Sequence, residues 1–497
     1  MRIGIIDLVN HRRENNLQTR IINPNGVSLA SQYIAVWLEK LGHNIWYYTY
    51  TGVEDLKKDL NLNLDVLFIA SFTTSAYLAY SISNLYRRYG IITILGGPHA
   101  VSYPHDSIKY FDYVLGMTDE SLLKDIIYDL TPNDPGIYLT NNSHPTDVPT
   151  LKERWKYVEY NHKKILPGIP KIVPMMSSIG CPYKCEFCID SKVTYKKLDP
   201  QLIKENLYFL KTKYPTWVVW YDPNFGVNLD ENLDIIDQCQ TKNIKYLTEM
   251  NLTRLTILDV LKLRKQNFIG IAPGLESWSS YNEKTLFTKP ESKIDKVKTI
   301  AEQVNMITEY IPLLQLNIIF GLDCDEGQEP FELTKEFIKL TPSAYTNFQT
   351  ITSFGKSTPF GKQLFEQNRL LNVPYNLLDC FTTTNIKLNY NLKDFYTYYA
   401  DLVKFATSNK VIAKRLLISK TLPGKLFYLI KRLAGRGNYK YYEWFINQLD
   451  TKEFKDFYSG ETTKPPRIYR DQLEKELGPF YVLLPAKIIQ YFKYGVT

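Results

Sequence analysis

Apolar and polar positions in the first quarter of the chain alternate between two periods. Ile3 to Val9 is an apolar run that reads as a strand, and Ser28 to Leu41 repeats apolar residues at helical spacing with Gly42 as its C-cap. Ile45 to Tyr50 and Val66 to Ala70 read as strands, Ala76 to Tyr89 as a helix, and Ile91 to Leu95 as a buried strand running into Gly96-Gly97-Pro98-His99. Phe111 to Leu115 and Glu120 to Leu130 give a last strand and helix. Residues 1–135 are therefore expected to form a doubly wound, Rossmann-type parallel sheet. Ligands bind such sheets beyond the carboxyl ends of the strands. Ser71, Thr73, Thr74, Gly96, Gly97, Pro98, His99 and Glu120 fall on that rim.

Residues 136–170 are turn-rich and weakly periodic, and read as a connector. From 171 to 375 strand and helix signals alternate again, with strands near 217–220, 246–250, 268–272, 314–320 and 347–351 and helices at 200–213, 231–242, 257–266, 294–302 and 331–339. Roughly six such units predict a partial (β/α)6 barrel with function on the loops after the strands. Residues 376–497 read as a helical cap: helices over 392–408, 410–432 (broken at Pro423-Gly424), 441–449 and 470–477.

Composition narrows the picture. The chain of 497 residues has six cysteines, three of them within one eight-residue stretch, which argues against a disulfide framework and for a reducing, cytoplasmic setting. The N-terminus is too strand-like for a signal peptide, and no apolar run reaches 18 residues. The net charge of +8 is mild but uneven. Between Leu402 and Tyr442 there is no acidic residue, while Lys404, Lys410, Lys414, Arg415, Lys420, Lys425, Lys431, Arg432, Arg436 and Lys440 all lie there. This asymmetry fits an anionic partner, with peripheral membrane contact one reading and a solvated cap another. No nucleic-acid partner is expected, because no aromatic-interleaved motif accompanies the charge.

The candidate chemistry sits at Cys181, Cys185 and Cys188, spaced C-x-x-x-C-x-x-C after an apolar run. Thiolates hold the irons of 4Fe–4S cubes, and three so close together leave a fourth iron open. A structural zinc site would want a fourth Cys or His at paired spacing, whereas Cys239 stands far off. The triplet, with aromatic Phe187 before its last cysteine, resembles the signature of the radical S-adenosylmethionine (SAM) enzymes. That resemblance implies a 4Fe–4S cluster, SAM chelated at the open iron, a 5′-deoxyadenosyl radical and an external electron donor of flavodoxin or ferredoxin type.

Later loops match the same pattern: Tyr221-Asp222-Pro223-Asn224, Asn251-Leu252-Thr253-Arg254, Gly274-Leu275-Glu276-Ser277, Phe320-Gly321-Leu322 and Ser357 to Leu364. Pro223 stands where the family has a second acidic residue. The SAM carboxylate needs a cation, for which Arg254 is suited; its hydroxyls and amine need acceptors, for which Glu276, Ser277 and Asn317 are suited, with Phe187, Asp222 and Asn224 completing the expected SAM-binding set.

Residues 1–135 resemble the cobalamin-binding domain that precedes one class of these enzymes, on Pro24-Asn25-Gly26-Val27, Leu41-Gly42-His43, Leu95 to His99 and Phe111 to Val114 leading to Glu120. Cobalamin is then expected against Asn25, Ser71, Thr73, Thr74, Gly96, Gly97, Pro98, His99 and Glu120. The lower-ligand motif D-x-H-x-x-G is missing, since no histidine has Asp two positions before it. His99 is alternatively a polar rim residue.

The leading expectation is cobalamin-dependent methylation of an unactivated carbon in a small-molecule or peptide substrate, anionic or lipid-like. The alternatives are radical cyclisation, coupling, rearrangement or oxidation without methyl transfer, and a cluster- or zinc-bearing binding protein. The catalytic acid or base is not legible.

Overall fold

The computed structural model describes residues 1–14, 17–214, 216–252, 255–279, 292–419 and 422–495. It is an α/β protein with parallel sheets, divided into two compact units: residues 1–217 with 352–385 and 462–497, and residues 218–351 with 386–461.

The first unit is built on a six-stranded sheet. Its strands run in the order Asn44–Tyr50, Arg2–Leu8, Val66–Ser71, Ile92–Gly96, Tyr113–Leu115, Ile137–Leu139, and every pair is parallel. The order reverses beside Arg2–Leu8, so the crevice of a doubly wound sheet falls at the ends of Arg2–Leu8 and Val66–Ser71. Ile3, Ile5, Val66, Phe68 and Ile94 pack with Val36, Trp37 and Leu38 of helix Leu29–Lys40 and with Leu123 and Ile126 of helix Glu120–Tyr128. Each such side chain contributes about 1.5–3 kcal/mol on burial.

The stretch 136–170 differs from a plain connector. Ile137–Leu139 adds the edge strand, and Leu151–His162 is a helix with a capping box, Thr150 N donating to Glu153 Oε2 at 2.7 Å and Glu153 N to Thr150 Oγ1 at 3.3 Å. Arg154 on that helix is buried and donates to Gln32 Oε1 (2.8 Å) and Pro174 O (2.7 Å), which anchors the helix within the unit.

In the second unit the strands run Gly274–Glu276, Leu313–Phe320, Phe268–Ile271, Lys245–Thr248, then Trp217–Trp220 from Val218 on, with Tyr345–Thr350 on the far side of Leu313–Phe320. The pairs among 245–248, 268–276, 313–320 and 345–350 are parallel. Phe268–Ile271 and Gly274–Glu276 pair with successive parts of Leu313–Phe320 and are interrupted at Ala272-Pro273, where proline removes a ladder donor. Helices Leu229–Cys239, Ile257–Lys265, Lys293–Tyr310 and Glu329–Leu340 alternate with these strands.

The C-terminal helices differ from expectation. Asn409–Ile418 ends early, and Leu422–Gln448 is one helix of 27 residues that absorbs the separate helix expected at 441–449. The break expected at Pro423-Gly424 falls just ahead of it, where Asn409–Ile418 has ended and Leu422–Gln448 begins; Pro423 sits in the first turn of the second helix, where the missing N–H has no helical partner to lose. Lys452–Ser459 and Ala486–Tyr494 are further helices. Among the described residues no helix is long and apolar enough to cross a membrane.

Candidate functional site

The three cysteines of the first unit share one closed loop. Strands Ser178–Ile179 and Lys196–Lys197 pair antiparallel, and Leu198 N donates to Ser177 O at 2.9 Å, so residues 180–195 leave and return at one point. Gly180 makes the turn possible: its φ is +69°, and a Cβ there would lie 2.6 Å from Val193 O. Cys181 and Cys185 are buried, Cys188 is half-buried, and none is in a disulfide. Cys188 N donates to Cys185 O at 3.1 Å. Helix Pro359–Glu366, capped by Thr358 accepting from Gly361 N at 3.0 Å, presents its N-terminus to the loop, where Phe360 N donates to Glu186 O at 3.0 Å. Helix N-termini favour anionic neighbours such as thiolates.

Among the described residues no three His, Cys, Asp or Glu side chains are gathered about a single ion. An iron–sulfur cube asks for a different geometry, one thiolate to each of three irons, and three thiols on one loop supply that donor set.

The sheet rim of this unit holds most of the residues expected to meet cobalamin. Ser71 and Thr73 are buried at the end of Val66–Ser71, and Gly97 lies against Ser71, where a Cβ would be 3.0 Å from Ser71 N and O. Beside them Phe72 is 48% exposed, Thr74, Gly96 and Gly97 are half-buried and Pro98 is exposed. This ledge of small residues, lined by hydroxyls and with no neighbour within 4 Å of a Cβ at Gly96, suits a flat macrocycle. Glu120 opens helix Glu120–Tyr128, which Asp119 caps by accepting from Leu122 N at 2.9 Å. Asn25 is engaged elsewhere: its amide donates to Pro170 O at 3.3 Å and accepts from Ile172 N at 3.0 Å.

His99 is not a polar rim residue. It is fully buried, its Nε2 lies 2.7 Å from Tyr80 Oη, and burial drives its pKa down to about 3, so the ring is neutral. Tyr103, at 5.2 Å, and Tyr375, at 4.9 Å between centroids, cover it. Tyr80 and Tyr375 both donate to Asp106 Oδ2, at 3.0 and 3.1 Å.

In the second unit the strand ends gather a polar group of their own. Asp222 and Asn224 are buried after Trp217–Trp220, and Asn224 Oδ1 accepts from Asn251 N at 3.2 Å. Asn251 in turn bridges to Gly274. Glu276 is buried with φ +66°, a region that disfavours side chains, and Ser277 N donates across it to Leu275 O at 2.9 Å. Its carboxylate folds back so far that a Cβ on Gly274 would stand 2.3 Å from Glu276 Oε1. Asn317 Oδ1 accepts from Gln315 (3.1 Å) and Asn347 (3.2 Å). Arg254 and Thr253 lie outside the described residues.

Several residues here escaped the sequence reading. Lys296 Nζ donates to the carbonyls of Ser277 (3.2 Å), Trp278 (3.0 Å) and Ser279 (3.2 Å), and burial pulls its pKa down to about 8. Ser277 Oγ donates to Asp325 Oδ1 at 3.0 Å, and burial pushes that acid up to about 6. Lys296 looks in sequence like any lysine on an amphipathic helix. Gln315, by contrast, falls on the half-buried phase of the alternation that runs from Leu314 to Ile318, whereas Tyr345–Thr350 does not alternate and so does not mark Asn347.

No protein-family model matches the chain. Over 320 residues it is 24% identical to the bacteriochlorophyllide d C-8(2)-methyltransferase of Chlorobaculum tepidum, spanning 61% of this chain and 68% of the relative. Over 329 residues it is 22% identical to the hopanoid C-2 methylase of Rhodopseudomonas palustris, spanning 62% and 59%. The radical S-adenosylmethionine methyltransferase TsrM of Kitasatospora setae, solved with tryptophan substrate and a SAM analogue, shares the fold at TM-score 0.51 and 13% identity, over 74% of this chain and 76% of that one. A second TsrM structure, with cobalamin and a [4Fe-4S] cluster bound, gives TM-score 0.51 at 12% identity, over 73% and 78%.

Proposed function

We propose that this chain is a methyltransferase of the cobalamin-dependent radical SAM class, acting on an unactivated carbon of a small molecule. The observation that carries the reading is the closed Gly180-to-Tyr195 loop with its three thiols, in a chain whose relatives are methyltransferases. When bound, the 4Fe–4S cluster and cobalamin supply single-electron cleavage of SAM and methyl delivery to carbon.

The protein's part is to hold and orient. Cys181, Cys185 and Cys188 take one iron each, and the Pro359–Glu366 N-terminus offsets their negative charge. Asp222, Asn224, Arg254, Glu276, Ser277 and Asn317 of the second unit would receive SAM, with the strained turn at Glu276 fixing its carboxylate in advance. Ser71, Thr73, Thr74, Gly96, Gly97, Pro98 and Glu120 receive cobalamin. Buried His99 is engaged with Tyr80 behind that rim, and Asn25 is tied to Pro170 and Ile172, so neither is offered to cobalamin in this reading. In this reading residues 1–135, extended by the edge strand Ile137–Leu139, form the cobalamin domain, 171–375 a partial (β/α)6 barrel and 376–497 the cap. Reducing equivalents come from a flavodoxin or ferredoxin in the cytoplasm.

Anaerobic reconstitution tests the proposal. The expected result is about four irons per chain, with the methyl group of labelled SAM appearing in product. Deoxyadenosine formed without label transfer would assign radical chemistry of another kind. Zinc in place of iron, or turnover surviving Cys185→Ala, would end the radical SAM reading.

A further inference from the structure

Helix Leu422–Gln448 has one face committed to its unit. Tyr428, Tyr442 and Phe445 are buried, Tyr428 Oη donates to Ser343 O at 2.8 Å, and the rings of Tyr442 and Phe445 pack on Tyr399 (5.0 Å) and Tyr396 (4.7 Å) of helix Leu392–Ala406. The opposite face is unlike an ordinary solvated one. Leu426, Leu429 and Leu433 recur at helical spacing and are 50, 39 and 70% exposed. Exposed Lys425, Arg436 and Lys440 flank this stripe, and no carboxylate occurs between Leu402 and Tyr442. Just ahead of the helix, Leu417 is 86% and Ile418 40% exposed.

Single exposed leucines are common on protein surfaces and need no explanation. Three on one helical face beside exposed cations, with the helix's single carboxylate, Glu443, more than two turns beyond the last leucine, form the pattern of a helix that lies in a lipid interface. The local excess of fixed positive charge also selects the sign of the partner. We propose that the outer face of Leu422–Gln448 docks on an anionic membrane surface, leucines into the acyl boundary and lysine and arginine among the headgroups. The contact is peripheral, in keeping with the absence of a spanning helix among the described residues. It rests on this helix alone and stands or falls apart from the chemistry proposed above.

Vesicle flotation of the full chain tests it, with phosphatidylglycerol–phosphatidylcholine vesicles set against phosphatidylcholine alone. The wild type is expected to float with the anionic vesicles roughly a hundredfold more strongly than with the neutral ones, and about half-molar salt should release it. Two surface variants separate the components: Leu426→Gln/Leu429→Gln/Leu433→Gln and Lys425→Gln/Arg436→Gln/Lys440→Gln should each weaken binding about tenfold or more. Unaltered circular dichroism certifies their fold; should the leucine variant unfold, the charge variant decides. Absent flotation, equal affinity for both vesicles, or a charge variant that binds like wild type overturns the proposal. So does sedimentation showing a dimer that the leucine variant dissociates, which would assign the face to a second copy.

Discussion

Asp7 illustrates how one residue at the sheet's crevice carries both structure and a titration. It ends in the core, 2% exposed, and accepts from Ser28 N at 2.8 Å, the residue that caps helix Leu29–Lys40. Burial raises its pKa to about 6, opposed by the Ser28 hydrogen bond and by the charge of Lys164. A carboxyl whose folded pKa lies above its unfolded value binds more protons when folded, so its contribution is greatest below about pH 4 and falls as pH rises through 6. Asp7→Asn keeps an acceptor for Ser28 and abolishes the titration. Relative to wild type, the variant should therefore gain stability between pH 4 and pH 7, on the order of 2 kcal/mol. Paired thermal melts at the two pH values check this; an offset that does not change with pH would refute it.

At the scale of elements, the cysteine loop depends on a two-residue ladder and one left-handed glycine. Gly180→Ala forces a Cβ to within 2.6 Å of Val193 O in a backbone region that costs about 1 kcal/mol or more for alanine. The loop should open while the sheet persists. Reconstituted iron should fall well below wild type at unchanged far-ultraviolet circular dichroism; full iron loading would show the turn to be dispensable. The loop itself was legible from the cysteine spacing and the glycine before it, as the longer strands and helices were from their periods; the two-residue ladder that closes it was not. Ile137–Leu139 was not, since three residues are too few to display a period. Nor was the break at Ala272-Pro273, where a strand continues past a residue unable to donate. Lys296 gave no signal because its importance lies in which carbonyls it meets. His99 was found by its place after a buried strand, yet the local sequence says nothing of Tyr375, which covers it from far along the chain.

That long-range cover has a consequence for the whole molecule. The first unit is discontinuous: it draws in 352–385 and 462–497 as well as 1–217. The last segment is structural within it. Phe492 and Ile488 are buried, Phe492 lies 5.8 Å from Tyr77, and Tyr77 lies 5.4 Å from Tyr375. Asn84 donates to Leu483 O at 2.7 Å, and half-buried Glu476 accepts from Asn376 at 2.8 Å and pairs with Arg12 at 3.3 Å. Removing 462–497 strips apolar cover from helix Ala76–Arg88 and leaves Tyr77 and Tyr375 facing water. With several large side chains lost at about 1.5–3 kcal/mol each, the deficit is comparable to the whole stability of a domain. The second unit, 218–351 with 386–461, contains none of the deleted residues. Truncation after Glu461 should therefore make residues within 1–217 the first to be cut in limited proteolysis, while fragments from 218–351 stay protected. Equal susceptibility of both units would mean that they do not unfold independently, and unchanged resistance of 1–217 would mean that the terminal segment is mere decoration.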